Sequence, residues 1–207
     1  MPPEEPHAHL RVEPHRALVS RGPASWFGLV AGGDLAPVVS SRDAQGRTYD
    51  TRAYGFTVGA RMRVSFWRAE AGLTVAYTHQ AYTIDRGAVS AAPPEGIPSV
   101  TYQSVRAAVS GRVQVIPRLA VTVRGGYLFV VDAGELGSAA FFPRNRTGGV
   151  EAGVGVAVPL VAGLEARLDV DWRRYFSSMR PEVGDRLIAG GAADDFYGAT
   201  LGVAWRR

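Results

Sequence analysis

"LEARLDVDWRRYF", residues 164–176, places Leu164, Ala166, Leu168, Val170 and Trp172 on one parity and Glu165, Arg167, Asp169, Asp171 and Arg173 on the other. Successive side chains of a strand point to opposite faces, so this period of two predicts a β-strand with one apolar and one charged face. Two surroundings suit such a strand. Either the charged face meets water outside a soluble protein, or the apolar face meets lipid and the charged face looks into a barrel.

The same alternation recurs about eight times from Ser25 onward. In "RAYGFTVGARMRV" (52–64) Tyr54, Phe56, Val58, Ala60, Met62 and Val64 oppose Gly55, Thr57, Gly59, Arg61 and Arg63. "EAGLTVAYT" (70–78) sets Leu73, Val75 and Tyr77 against Glu70, Gly72 and Thr74, and "QSVRAAVSGRVQV" (103–115) sets Val105, Val109 and Val113 against Arg106, Ser110 and Arg112. "LAVTVRGGYLFVV" (119–131) opposes Val123, Tyr127 and Phe129 to Thr122, Arg124 and Gly126, and "GGVEAGVGVAV" (148–158) opposes Val154 and Val156 to Glu151 and Gly153. "SWFGLVAGG" (25–33) and "FYGATLGVAW" (196–205) are the first and last segments.

Links between these segments alternate in length. Turns at "SFWR" (65–68), "IPR" (116–118) and "PLVAG" (159–163) are short, whereas residues 34–50, 79–100, 132–146 and 177–195 read as long polar or Gly/Pro-rich loops. Short turns at one end and long loops at the other are the plan of an up-and-down transmembrane barrel. The expected fold class is all-β, an eight-stranded antiparallel barrel over residues 25–207 with a polar, charged interior, preceded by a Pro/His-rich tail or linker over residues 1–24.

Composition narrows the classes. A hydrophobic content of 46% is too high for a disordered chain. No apolar run approaches the roughly 18 residues of a spanning helix, and "GVGVAVPLVAGL" (153–164) is short and broken by Pro159. Without cysteine there is neither a disulfide framework nor a thiolate metal site. The 23 basic residues are all arginines scattered among acids, which argues against a nucleic-acid partner. Residues 1–24 lack the basic and apolar regions of a secretory signal, so an export reading requires a leader or upstream segment outside this chain.

Taken together, the pattern resembles the bacterial eight-stranded outer-membrane barrels, such as the transmembrane domain of outer membrane protein A and its small relatives. The likeness includes the C-terminal assembly signal of that family, here Tyr197, Ala199, Leu201, Val203 and Trp205, followed by Arg206 and Arg207. It implies an outer-membrane location, termini in the periplasm, long loops outside, and lipid and lipopolysaccharide as surroundings, with a surface partner for the loops. It implies no enzyme and no cofactor.

Two sets of residues carry the physical content of this reading. The inward set is Arg61, Arg63, Glu70, Arg106, Arg112, Arg124, Glu151, Glu165, Arg167, Asp169, Asp171 and Arg173. Isolated charges there cost several kcal/mol each, so they are expected to pair with opposite charges or to be solvated by trapped water. With turns centred on Phe66–Trp67 and on Val161, Arg63 faces Glu70 and Glu151 faces Asp171, with Arg173 diagonal. Inward glycines on the second, sixth and eighth strands leave room for the arginines. The aromatic set, Trp26, Trp67 and Trp205 at one end and Tyr54, Tyr77, Phe129, Trp172 and Tyr197 at the other, suits two interfacial girdles.

Other candidates read more plainly. His7, His9 and His15 are solvated tail histidines without a fixed scaffold. Some barrel enzymes acting on lipid A carry a histidine and a serine near the long-loop rim, which makes His79 with Ser104 or Asp132 the catalytic alternative. "NRT" (145–147) reads as a turn, the glycines of 148–156 as small inward residues, and Phe141 and Phe142 as loop packing. The runner-up from another class is a soluble lipocalin-like barrel with the apolar face turned inward, and a pore is a further option.

Overall fold

The computed structural model describes residues 26–42, 48–84, 99–161, 163–185 and 187–205. All eight alternating segments are strands: β1 (Phe27–Arg42), β2 (Thr48–Phe66), β3 (Ala69–Ile84), β4 (Val100–Ile116), β5 (Leu119–Gly134), β6 (Arg146–Pro159), β7 (Leu164–Ser178) and β8 (Gly191–Trp205). They form one antiparallel sheet in chain order, up and down, that curls into a half-barrel. Among the described residues no ladder joins β1 to β8, and no helix is long and apolar enough to cross a membrane. Residues 1–25, 43–47, 85–98, 206 and 207, and with them the tail histidines, lie outside the described residues, as does the side chain of Trp205.

Curling brings distant strands together across the concave face. Tyr82 of β3 stacks on Phe196 of β8 at 4.9 Å, and Arg112 of β4 meets Glu165 of β7 at 2.5 Å. One cavity of about 160 Å3 is lined by residues of all eight strands, from Val30 of β1 to Thr200 of β8.

The strands are longer than the alternation alone suggested. Residues 34–42 and 48–50, read as loop, belong to the paired strands β1 and β2, with a register shift between Ala36 and Val39. β3 likewise runs on to Ile84, β5 to Gly134 and β7 to Ser178. Backbone ladders do not require apolar side chains, so polar strand ends pair as readily as apolar centres.

Registers at two turns also differ from expectation. Phe66 pairs with Ala69, so the β2–β3 turn is Trp67–Arg68, and Arg63 opposite Gly72 reaches Glu70 only diagonally, at 3.7 Å. Trp67 takes φ 52°, the positive value that a tight hairpin of this length needs at its first turn position. In the β6–β7 pair Glu151 lies directly opposite Arg173, and Asp171 opposite Gly153. The cause is a turn centred one residue later, over residues 160–163: Leu160 N–H donates to Leu164 O at 2.7 Å, and Gly163 takes φ 79°.

Candidate functional site: the concave charge network

Parity sorts the two faces as the sequence suggests. On the convex side Leu29 is 81% exposed, Val109 63% and Leu201 79%, and large apolar side chains are exposed on every strand. On the concave side all twelve of the predicted charged residues appear in ion pairs.

The network has three knots. Near the short turns, Arg112 donates two bonds to Glu165, at 2.9 and 2.5 Å, and Arg167 Nε donates a third at 2.7 Å. Midway, Arg124 bridges Asp171 and Asp169, the latter at 3.6 Å, while Arg61 donates to Ser110 at 3.0 Å and stands 4.0 Å from Glu70. Toward the long loops, Glu151 holds Arg106 at 2.5 Å and Arg173 at 3.6 Å. Fork geometry makes Arg112–Glu165 the strongest of these contacts, since parallel charge-assisted bonds act together. Among the described residues the layer contains seven arginines and five carboxylates.

Glycines make room for part of it. A Cβ at Gly153 would lie 2.6 Å from Arg124 Nε, and one at Gly72 would lie 3.2 Å from the guanidinium of Arg61. The expectation for strand two fails: Gly59 abuts the backbone of Val75–Ala76 and Gly55 abuts Asp34. On β8 Gly202, opposite Arg167 and lining the same cavity, faces open space.

Above the charges lies a layer the sequence reading did not isolate. Tyr102 and Tyr175 stack at 3.9 Å, Phe196 meets Tyr175 edge-on, and Leu128 is fully buried beside them. Tyr102 donates to Asp194, and Tyr175 donates to Gln80 at 2.8 Å. Leu136, Met179 and Phe142 cover the cluster from the links, and Phe141 is buried. A signal existed: Tyr82, Tyr102, Leu128, Tyr175 and Phe196 are large rings or apolar chains on the parity otherwise taken by polar residues and glycine.

The predicted girdle residues with described side chains flank the apolar band. Tyr77 donates to Gln103, and Gln103 to Asp132, which closes the band over β3–β5. Trp172 donates to Asp195 at 3.0 Å, and Arg174 pairs with Asp195 above it. Tyr54, Phe129 and Tyr197 are exposed at the same rim, while Trp26 and Trp67 mark the other end, where the Arg68 guanidinium lies 5.2 Å from the Trp67 ring.

The catalytic alternative is not assembled. His79 sits on the convex face stacked on Phe56 at 5.2 Å, whereas Ser104 is buried on the concave face, and Gln103 stands between His79 and Asp132 in the ladders. "NRT" opens β6, with Asn145 donating to Thr147 at 2.9 Å. The links themselves are clamped: Arg144 bridges Glu182 and Asp185. A backbone N–H from Glu182 and the Arg144 guanidinium hold the Asp185 carboxyl below the usual aspartate range. No family model, curated protein or solved structure matches the chain.

Proposed function

We propose that this protein is a small outer-membrane β-barrel of the bacterial eight-stranded kind, a non-enzymatic anchor whose long links face outward and meet partners at the cell surface. The observation that carries the reading is the apolar band on the convex side. It spans Val105–Val115 on β4 and Leu164–Trp172 on β7, 11 and 9 residues. A tilted strand crosses hydrocarbon in about 9–11 residues. A soluble protein seldom leaves so continuous an apolar surface in water.

Three further features agree. Polar residues limit the band at the rim of Gln103, Asp132 and Asp195, as headgroups require. Interior arginines and carboxylates meet one another, which relieves the cost of taking them from water. In hydrocarbon the edges of β1 and β8 must pair, because unsatisfied backbone groups cost several kcal/mol each, so the reading entails a closed barrel.

Migration on a gel tests it. The full chain is expected to aggregate without detergent and, once folded in detergent, to run differently before and after boiling. A monodisperse protein in detergent-free buffer that takes up an apolar ligand would support the lipocalin-like alternative and sink this one.

A further inference from the structure

We propose that the cavity between the strands is a binding site for a small tetrahedral oxyanion of the phosphate class, entered from the short-turn end. It goes beyond the anchoring role above and rests on that reading for a closed wall around the cavity and for folding in detergent. The cavity's 160 Å3 is about an order of magnitude more than a single water needs.

Charge specifies the occupant. Among the described residues the ion-pair layer around the cavity carries seven arginines against five carboxylates. Surplus positive charge away from bulk water is costly unless an anion compensates it. Asp34 and Asp194, which would restore the balance, sit apart at the aromatic layer, where Tyr102 donates to Asp194 and Asp34 abuts Gly55.

Arg167 supplies the recognising group. It lines the cavity and commits only its Nε, to Glu165 at 2.7 Å; its two terminal nitrogens have no partner among the described residues. A planar fork with two free donors matches a phosphate or sulfate face. Hydroxyls of Thr74, Ser110, Thr122 and Thr200 line the same space and add neutral donors.

Access follows from the two ends. The stacked pair Tyr102–Tyr175, each 1% exposed, shuts the long-loop side. At the other side Arg63 is the most exposed of the seven arginines, and Arg106, next to the rings, the least. An anion therefore enters past Arg63.

The test uses the full chain folded in detergent micelles, with folding verified by heat-modifiable migration before any titration. Inorganic phosphate is added at constant ionic strength against chloride, with binding read by calorimetry and by the thermal midpoint. One saturable site and a midpoint rise specific to phosphate are expected. Arg167→Gln should weaken binding at least about tenfold, and Glu165 keeps both Arg112 bonds, so the sheet retains that knot. Arg144→Gln, in the link clamp, should leave binding unchanged. Should R167Q not fold, Arg167→Lys keeps the charge without the fork and is expected to bind more weakly. Equal response to phosphate and chloride, an R167Q or R167K protein that binds like the wild type, or binding of phospholipid headgroups without inorganic phosphate would each overturn the site.

Discussion

Glu165→Gln is the most informative single change in the network. The carboxylate, 4% exposed, accepts three charge-assisted hydrogen bonds, two from Arg112 and one from Arg167. An amide is nearly the same size, so packing is preserved while the charge is lost. Each remaining bond keeps its charged donor and loses its charged acceptor, a loss of about 1 kcal/mol. The amide NH2 also faces a guanidinium donor, which removes one bond outright and leaves two arginines without a counter-charge. Summed, the loss is about 3–4 kcal/mol, within the range for breaking one half of a buried pair. Reversible urea unfolding in lipid vesicles, followed by tryptophan fluorescence, measures it, with an unchanged slope showing that the same surface unfolds. A loss under about 1 kcal/mol would refute the reasoning, because only free access of water to Glu165 screens these bonds so well.

Three further outcomes follow from named contacts. Val109→Arg, mid-band on the convex face, should cost about 2–4 kcal/mol in vesicles, whereas Gln103→Arg at the rim should cost about 0–1 kcal/mol; equal effects would contradict a lipid-facing band. Gly59→Ala would drive a Cβ into the Val75–Ala76 backbone of β3, and the overpacking should lower stability by about 1–3 kcal/mol in the same unfolding assay. Because Asp185 titrates below its unfolded value, its contribution is complete above the usual aspartate range and is lost only as pH falls through the lowered one. Protection against hydrogen exchange over residues 179–185, corrected for the intrinsic rate, should thus hold at pH 5 and fall in stronger acid, while Asp185→Asn should lower it already at pH 5.

Side-chain alternation carried most of the fold, because a one-residue error in parity would turn every Val, Leu and Tyr of a strand to the wrong face. Leu164 to Arg173 show this best: each lies on the face its parity assigned. Registers were less legible. Which residues form a turn depends on local φ values, and nothing in "SFWR" announces that Trp67 adopts a positive one. A turn displaced by one residue moves partners by two, which is why Glu151 faces Arg173 and not Asp171. The aromatic layer was obscured for another reason. Tyr102 and Tyr175 lie on the polar parity, and their burial depends on β3, β4, β7 and β8 meeting across the sheet, a contact between residues more than 70 positions apart in the case of Tyr102 and Tyr175.

The order of layers along the strands bears directly on conduction. A water path through an eight-stranded barrel must pass between side chains, since such a barrel is just wide enough to be filled by them. The ion-pair layer alone could leave one, because arginines and carboxylates hold water between them. Among the described residues Tyr102, Tyr175, Leu128 and Phe196 pack where such a path would run in a closed barrel: their rings stack at 3.9 Å or meet edge-on at 5.9 Å, and Leu136 and Met179 pack with them. Wild-type protein in a planar bilayer should therefore show no stable conductance, and paired replacement Tyr102→Ala with Tyr175→Ala should open brief events that favour anions, because the layer below carries more arginine than carboxylate. Steady ohmic steps from the wild type would mean that the rings part in the membrane, and a cation preference in the double variant would mean that the charge layer does not govern what passes.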